Sequence, residues 1–344
     1  MDANPWVSVL IVCHNDGKWL PRCFASLRSQ TIFSHCEIIV ADNASSDGSD
    51  RLARDLMAGW PNARFYSTGG DHGFCVGTNF AARQARGKYL HVLNPDTWLE
   101  DDCLAQLYET LEREKAGAGG PTILNYDDDS LQSPCPAGFD FCGNLILPKR
   151  VTSGYRPFSP GGFFFINREL FLRIGMLDEE FFMYGEETDL AWRIWIAGEK
   201  VAAAVEARIH HRGAVGVNPT GETVVVENRT STQKRFLANR NRLLTILKNS
   251  QHVLLLTFLP SGLLVLLEGL GTWLATRNAA LAHQTSIAAF GELWRLRQHI
   301  LARRRFLRPL RRHSDFWLLR FFRIGFGRWS EISGILRRGF PKFR

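Results

Sequence analysis

The carboxyl-terminal third of this sequence has very few acidic residues. Residues 229 to 344 contain 22 Lys and Arg against 4 Asp and Glu, whereas residues 1 to 228 contain 20 against 30. The formal charge is therefore about −10 for the first part and +18 for the second. This split predicts an acidic soluble domain joined to a basic region that binds a polyanion, either a membrane surface or nucleic acid.

Cysteine spacings typical of disulfide frameworks or zinc sites are also missing. The chain has seven cysteines, an odd number, and no CxxC pair. Several of them lie inside apolar runs that are expected in a protein core. The pattern favours a reduced, cytoplasmic compartment.

Long hydrophobic runs and a basic leader are absent as well. The apolar stretch at residues 6 to 13 ends in polar residues 14 to 16, so we predict a first strand and not a signal peptide. The run at 253 to 267 has about 15 residues, fewer than the ~20 usually needed to span a bilayer. Extension to Ala275 would reach that length but would include Glu268, so an interfacial and a spanning helix both remain open.

Short strands alternate with helical segments in the first hundred residues. Runs rich in β-branched residues occur at 6 to 13, 37 to 41 and 88 to 93, and helical periodicity occurs at 18 to 28 and 75 to 86. This alternation predicts an α/β fold in which helices cover a mostly parallel sheet.

The rest of the chain has a different character. Residues 120 to 160 are rich in Pro, Gly and Asp, which predicts irregular loops or a small mixed sheet. Long helices are predicted at 230 to 250 and 253 to 276, followed by basic helical stretches through 290 to 340.

Two carboxylates directly follow predicted strands, at the edge where open α/β sheets bind ligands. Asp42 could accept hydrogen bonds from a nucleotide's ribose or base, although an Asx turn or helix cap would use the same residue. Asp96, in Asn94-Pro95-Asp96, could bind a divalent cation, and its structural alternative is a capped proline turn.

A cluster of acids precedes the amphipathic segment at 190 to 198. Glu186, Glu187 and Asp189 would stabilise a helix amino terminus through the helix dipole, or one of them could remove a proton from an acceptor hydroxyl. The pair His210 and His211 ends a strand-like segment and could bind metal or phosphate, or simply be polar surface.

Several segments together resemble glycosyltransferase family 2, in particular its bacterial rhamnosyltransferase-like branch. They are VSVLIVCHND, VADNASSDGS, GFCVGTNFAARQARGKYLHVLNPDT, GGFFFINRELFLRIGMLDEEFFMYGEETDLAWRI and ARIHHRGA. The resemblance covers about residues 6 to 250. It implies a GT-A domain over 1–250, with a nucleotide-binding half (1–100) and an acceptor half (101–250), before a helical membrane-associating region at 251–344.

The resemblance also implies roles for individual residues. The implied nucleotide-binding residues are His14, Asn15, Asp42, Asn43, Gly73, Asn79 and Asp96. The implied ligands of a Mg²⁺ or Mn²⁺ ion are Asp96 and His211, where NPD offers one carboxylate and the full family motif offers two. Glu187 is the implied base, with Glu186 and Asp189 as alternatives, and Gly161, Gly162 and Trp192 are expected to contact the acceptor.

The implied reaction is inverting transfer of a sugar from a nucleotide diphosphate to a glycan acceptor. dTDP-L-rhamnose is the first expectation for the donor, with UDP-linked sugars open, and the acceptor is expected to be polyprenyl-linked. The implied location is the cytoplasmic side of the inner membrane, peripheral or monotopic, on an anionic surface and without nucleic acid as a partner.

Two other functions remain as alternatives. A nucleotidyltransferase would normally have a glycine-rich, basic phosphate loop near the first strand, and residues 12 to 22 contain none. The other is a catalytically degenerate scaffold that binds a membrane or nucleic acid. It would explain why Asn94-Pro95-Asp96 and Gly185-Glu186-Glu187 differ from the usual family motifs.

Overall fold

The structure is a computed structural model that describes residues 4–148, 155–213 and 229–329, together with 333, 337, 339 and 342–343. The chain forms two compact units. The first comprises Met1–Pro136, Pro148–Met183 and Glu199–Gly213, and the second comprises Ala137–Leu147, Tyr184–Gly198 and Ala214–Arg344. The functional boundary predicted at residue 250 remains a prediction.

The first unit is built around one mixed sheet. Its strands are β1 (Val7–Cys13), β2 (Cys36–Asp42), β3 (Ala63–Ser67), β4 (Tyr89–Leu93), β5 (Thr97–Leu99), β6 (Ala118–Asn125), β7 (Leu131–Ser133), β10 (Phe165–Asn167) and β11 (Val201–His211). Its helices are α1 (Leu20–Arg28), α2 (Ser49–Leu56), α3 (Gly73–Gln84), α4 (Cys103–Glu114) and α5 (Arg168–Arg173). The strand order is β3-β2-β1-β4-β10-β6-β11-β5, and β7 pairs with β6.

The parallel part of this sheet confirms the predicted α/β architecture. Strands β3, β2, β1 and β4 run parallel to one another, whereas β10 is antiparallel to both of its neighbours. Strands β2 and β4 are buried at every position, as expected for strands covered on both faces. The carboxyl ends of β1, β2 and β4 therefore lie side by side.

The prediction of irregular loops or a small mixed sheet from 120 to 160 is wrong for residues 120 to 125. Strand β6 lies within the main sheet, between β10 and β11. Its glycines weaken the strand pattern in the sequence, but they have a packing reason. A Cβ on Gly120 would collide with the carbonyl of Pro160, so only glycine allows this close backbone approach.

The second unit is mainly helical. Its short strands are β8 (Gly138–Phe139), β9 (Leu145–Ile146), β12 (Arg229–Thr230) and β13 (Lys342–Phe343). Its helices are α6 (Glu186–Ile196), α7 (Thr232–Asn249), α8 (Phe258–Thr276), α9 (Ala279–Ala282), α10 (Ala288–Arg295), α11 (Arg297–Leu307) and α12 (Asp315–Leu318). A 3₁₀ turn (Val253–Thr257) precedes α8, and a π-helical turn (His283–Ile287) precedes α10.

The helical predictions for this region are confirmed in part. Helix α7 matches the segment predicted at 230 to 250, but the basic region after 290 forms shorter helices than expected. Helix α11 ends at Leu307, two residues before Pro309, which has no backbone N–H to continue the helical hydrogen bonds.

One helical segment among the described residues is long and apolar enough to cross a membrane. Val253–Thr276 has 24 residues and a mean hydropathy of 2.1, and 28% of its apolar window is buried within the protein. The segment thus reaches the ~20 residues usually needed to span a bilayer, whereas the 15-residue apolar run alone does not.

Candidate active site

The end of β2 holds a buried carboxylate with a free acceptor atom. Asp42 is the last residue of β2, is paired in register with Cys13 at the end of β1, and is 3% exposed. Its Oδ2 accepts a hydrogen bond from the amide of Ser45 at 3.1 Å. Its Oδ1 is buried and accepts no hydrogen bond within the part of the chain that the structure describes. A buried acceptor of this kind is expected to bind a ligand N–H or O–H group.

The loops after β1 and β2 are joined by polar contacts. Asn15, with a φ of 60°, accepts a hydrogen bond from the Ser46 amide at 2.8 Å through Oδ1. The ring nitrogen Nδ1 of His14 lies 2.7 Å from the carbonyl of Asn43. His14 and Asn15 therefore fix the shape of the predicted pocket, and the His14 ring is about half exposed.

Asn43 and Gly73, which are also predicted to bind nucleotide, contact each other and the residues around them. Asn43 is buried, and its amide donates to the carbonyl of Gly73 and accepts from Thr68 Oγ1, each at 2.9 Å. Gly73 has a φ of +80°, and a Cβ there would collide with the ring of Phe182. These contacts join the end of β2 to the start of α3.

Asn79 lies in α3 and is 1% exposed. Its amide donates to the carbonyl of Leu177 at 2.8 Å and accepts from the Leu177 amide at 2.9 Å. It also donates to Glu179 Oε1 at 3.1 Å. These contacts use both N–H donors of the amide and one lone pair of its oxygen, and they favour a structural role over the predicted nucleotide contact.

Asp96 and His211 are brought together, although they are far apart in sequence. Strands β11 and β5 pair in register with His211 opposite Thr97, and His211 Nε2 lies 3.5 Å from Asp96 Oδ2. The same Asp96 oxygen accepts a hydrogen bond from the Gly213 amide at 3.1 Å. His210, in contrast, stacks on Trp98 with ring centroids 3.5 Å apart and is 1% exposed.

Gln132 sets the orientation of the His211 ring. Its Nε2 donates to the backbone carbonyl of His211 at 2.8 Å and to the side-chain Oδ1 of Asn125 at 3.2 Å, and its Oε1 lies 2.7 Å from His211 Nδ1. The ring proton is therefore assigned to Nδ1, which leaves the Nε2 lone pair facing Asp96. Gln132 lies on β7 in a stretch without periodicity, and nothing in the sequence marks it as part of the site.

Asp16 was also missed by sequence reasoning. Burial raises its pKa to about 6, and the nearby charge of Asp96 contributes to this rise. Its Oδ2 accepts a hydrogen bond from the His14 amide at 2.8 Å. The loop after β1 therefore brings a second carboxylate into electrostatic contact with Asp96. The only signal for it in the sequence is its position after β1.

The predicted acceptor glycines have space around them. Gly161 has a φ of +81°, and a Cβ built on either Gly161 or Gly162 would meet no described atom within 4 Å. The neighbouring side chains Phe163, Phe164 and Phe165 are buried. The acceptor role of the two glycines remains a prediction.

The acids predicted to act as the base lie at the start of α6, in the second unit. Burial raises the pKa of Glu186, and the neighbouring charge of Glu187 raises it further. Burial also raises the pKa of Glu187, whose Oε1 accepts a hydrogen bond from Thr188 Oγ1 at 3.1 Å. A carboxyl group with a raised pKa is better suited to accept a proton than an ordinary surface glutamate.

Asp189 has different surroundings. Its side chain is fully buried and contacts Arg193 Nε at 2.9 Å, Lys248 Nζ at 3.0 Å and the Asn249 amide at 2.9 Å. These contacts favour a structural role for Asp189 over the predicted catalytic one. Trp192 is 1% exposed and packs on Phe139 with ring centroids 5.0 Å apart, which likewise favours a core position over acceptor contact.

Residues 8–175 match the model of the family described as Glycosyl transferase family 2. The match covers a little under half of the chain and describes this segment only. It contains Asp42, Asp96 and Gly161, whereas Glu187 and His211 lie beyond the matched residues. The predicted enzyme class is thereby confirmed for the domain.

Curated relatives of the family 2 domain act in glycan synthesis. The low-salt glycan biosynthesis hexosyltransferase Agl10 of Haloferax volcanii is 27% identical over 166 residues, covering 46% of this chain and 52% of the relative. The N-acetylglucosaminyl-diphospho-decaprenol L-rhamnosyltransferase of Mycobacterium tuberculosis is 26% identical over 263 residues, covering 68% of this chain and 84% of the relative. The chain thus spans about half the length of the archaeal relative.

Solved structures confirm the predicted GT-A type fold. GalNAc-T7, crystallised with UDP, GalNAc and Mn²⁺, superposes with a TM-score of 0.61 at 16% identity, covering 99% of this chain and 59% of that one. Staphylococcus aureus TarS 1–349 gives a TM-score of 0.53 at 15% identity, covering 88% and 89%.

Proposed function

We propose that this protein is an inverting glycosyltransferase that transfers a hexosyl group from a nucleotide diphosphate to a lipid-linked glycan. The observation that carries the proposal is the buried, unpartnered Oδ1 of Asp42 at the carboxyl end of β2. A pyrimidine N–H or a ribose hydroxyl would satisfy this acceptor, and the family 2 domain contains it.

A divalent cation fits the residues at Asp96. Two acceptors, Asp96 Oδ2 and His211 Nε2, face each other at 3.5 Å, and a positive charge between them would remove their repulsion. Among the described residues, no group of three or more His, Cys, Asp or Glu side chains is placed to hold a metal ion. This donor set suits Mg²⁺ or Mn²⁺, which bind with few protein ligands and take further oxygens from a diphosphate and water. When bound, such an ion would neutralise charge on the departing nucleoside diphosphate.

The proposed base is Glu187. An acceptor hydroxyl has a pKa far above 7 and needs a base within roughly 2.6 to 3.2 Å to lose its proton as the new bond forms. The proposal requires Glu187 to meet the acceptor on the face of the sugar opposite to the leaving group, which would invert the anomeric carbon.

The first donor to test is dTDP-L-rhamnose, and the first acceptor is N-acetylglucosaminyl-diphospho-polyprenol. Similarity to the mycobacterial rhamnosyltransferase over 84% of that protein supports both choices. UDP-linked sugars are the second choice, because TarS 1–349 and GalNAc-T7 were crystallised with UDP. The basic, apolar second unit supports a location on the cytoplasmic face of the inner membrane.

The decisive experiment is a thermal-shift screen of dTDP-rhamnose, UDP-glucose and UDP-N-acetylglucosamine, each with and without Mn²⁺. A ligand that binds only the folded chain raises its melting temperature. We expect a rise with one nucleotide class that is larger with Mn²⁺ and is lost in Asp42→Asn. Asp55→Asn is the matched control, because Asp55 is an exposed acid on α2. No response to any nucleotide would overturn the proposal and favour the scaffold alternative.

A further inference from the structure

Helix α8 has two distinct faces. The face buried in the second unit consists of Ser261, Gly262, Val265, Gly269 and Thr272. These residues recur every three or four positions and so lie along one side of the helix for most of its length. Their small size allows close packing, and a Cβ on Gly269 would lie only 3.0 Å from the Cβ of Ser286. The unit therefore holds α8 along one side.

The opposite face is a row of exposed leucines, called here the leucine face. It consists of Leu259, Leu263, Leu266, Leu267, Leu270 and Leu274, which are each 48% to 70% exposed. At 100° per residue these positions cover about a third of the helix circumference. Such a continuous apolar strip on a surface is typical of an interaction site.

The only charged residue of α8 is directed back to the protein. Glu268 Oε1 forms an ion pair with Arg328 and lies 3.9 Å from Arg242 NH2. Arg242 is on α7 and also donates from Nε to Ser261 Oγ at 3.1 Å. A spanning orientation of α8 would therefore carry α7 and its cationic residues into hydrocarbon, where charged groups are strongly disfavoured.

The carboxyl-terminal part of the second unit is rich in cations, which suits contact with anionic lipid. Residues 229 to 344 have 22 basic and 4 acidic residues. Two exposed tryptophans are stacked with arginines: Arg277 lies 5.9 Å from the Trp273 ring, and Arg297 lies 5.0 Å from the Trp294 ring. Tryptophan and arginine together are typical of the boundary between lipid headgroups and acyl chains.

The apolar surface continues from the amino-terminal end of α8 onto α10 and α11. An open groove of about 410 Å³ is lined by Phe258, Phe290, Leu293, Trp294, Arg297 and Leu301, among other residues. Its walls are almost entirely apolar, with Arg297 as the cation. An acyl chain and an anionic headgroup match this combination of surfaces.

We propose that the leucine face docks on an anionic membrane with α8 lying parallel to the bilayer surface, immersed on one side and packed on the protein on the other. The second unit is then a monotopic anchor and not a single-span anchor. The inference deepens the proposed function, because it supplies the membrane contact that a lipid-linked acceptor requires. The experiments that test this inference do not depend on glycosyl transfer.

The first test is flotation of the full chain with phosphatidylcholine vesicles containing 30% or no phosphatidylglycerol. We expect binding to the anionic vesicles that weakens as salt rises. The variant Leu263→Gln/Leu266→Gln/Leu270→Gln should reduce the partition coefficient by about tenfold or more, because it removes apolar surface from the contact. Leu131→Gln, an equally exposed leucine in the first unit, is the control and should bind as the parent does.

The second test measures depth. Single cysteines at Leu259, Leu266 and Leu274 carry an environment-sensitive fluorophore, and the seven native cysteines are all buried, so labelling is selective. Equal quenching of the three positions by lipids brominated at a shallow position supports the parallel orientation. Deep burial of position 266 with shallow positions 259 and 274 would overturn it in favour of a spanning helix.

Three further outcomes would also overturn the inference. In the first, the leucine variant binds vesicles as well as the parent does. In the second, the parent does not bind vesicles but self-associates in light scattering, and the leucine variant does not self-associate. In the third, the parent binds RNA and does not bind vesicles. Circular dichroism and a melting temperature measured without ligand confirm that each variant is folded. A nucleotide response without vesicle binding rejects only the docking surface, whereas vesicle binding without a nucleotide response rejects only the proposed enzyme.

Discussion

Lys248 Nζ lies 3.0 Å from Asp189 Oδ1, and both side chains are completely buried. This ion pair connects α6 to α7 inside the second unit. Glu187 lies only two residues earlier in the same helix but is partly exposed, so its role differs from that of Asp189. The two acids of one sequence motif therefore have different predicted responses to mutation.

Asp189→Asn is expected to destabilise the protein. The change removes the carboxylate charge that Lys248 and Arg193 both contact, and breaking a buried ion pair typically costs about 3–5 kcal/mol. Urea unfolding of the two forms measures the difference. A variant of normal stability that has lost glycosyl transfer would show that Asp189 acts in catalysis.

Glu187→Gln is expected to lower the rate of transfer strongly while leaving the fold intact. Removal of a general base lowers turnover by about 10²-fold to 10⁴-fold. Stability should be unchanged or higher, because burial raises the pKa of Glu187 and so disfavours its charged form. Initial rates with Glu109→Gln, an exposed acid on α4, provide the control.

Transfer should depend on pH in the direction set by the same raised pKa. The base must be deprotonated, so kcat/KM should fall as pH is lowered through the pKa of Glu187, above the range of an ordinary glutamate. A profile that stays flat down to pH 4.5 would contradict the assignment.

Gln132→Leu is expected to weaken Mn²⁺ binding although Gln132 is not a proposed ligand. The loss of its contact frees the His211 ring to rotate, and partners of this kind typically change metal affinity by about 10-fold to 100-fold. Titration of Mn²⁺ in the presence of nucleotide, followed by electron paramagnetic resonance, measures the effect. Gln106→Leu on α4 should bind Mn²⁺ as the parent does.

His91 should make the protein sensitive to acid. It is fully buried in β4, and burial lowers its pKa from 6.5 to about 4. The unfolded chain therefore binds a proton at a higher pH than the folded chain, and stability falls as pH decreases from 6.5 towards 4, by about 3 kcal/mol. His91→Leu should remove this part of the slope in urea unfolding, and an unchanged slope would reject the explanation.

The sequence alone determined the alternation of strands and helices and the positions of Asp42 and Asp96. These predictions succeed because hydrophobic periodicity and turn residues are local signals, and because parallel strands bring their carboxyl ends to one edge. The family resemblance then identified the class of chemistry, which the match over residues 8–175 confirms for the domain.

Only the tertiary structure decided which polar residues remain available to a ligand. Asn79 meets Leu177 across 98 residues, Gln132 meets His211 across 79, and Asp189 meets Lys248 across 59. No local pattern predicts such contacts, because each depends on how distant segments pack. Packing therefore favours structural roles for three residues predicted to be functional, Asn79, Asp189 and Trp192, and it places Gln132, which belongs to no motif, against a proposed metal ligand.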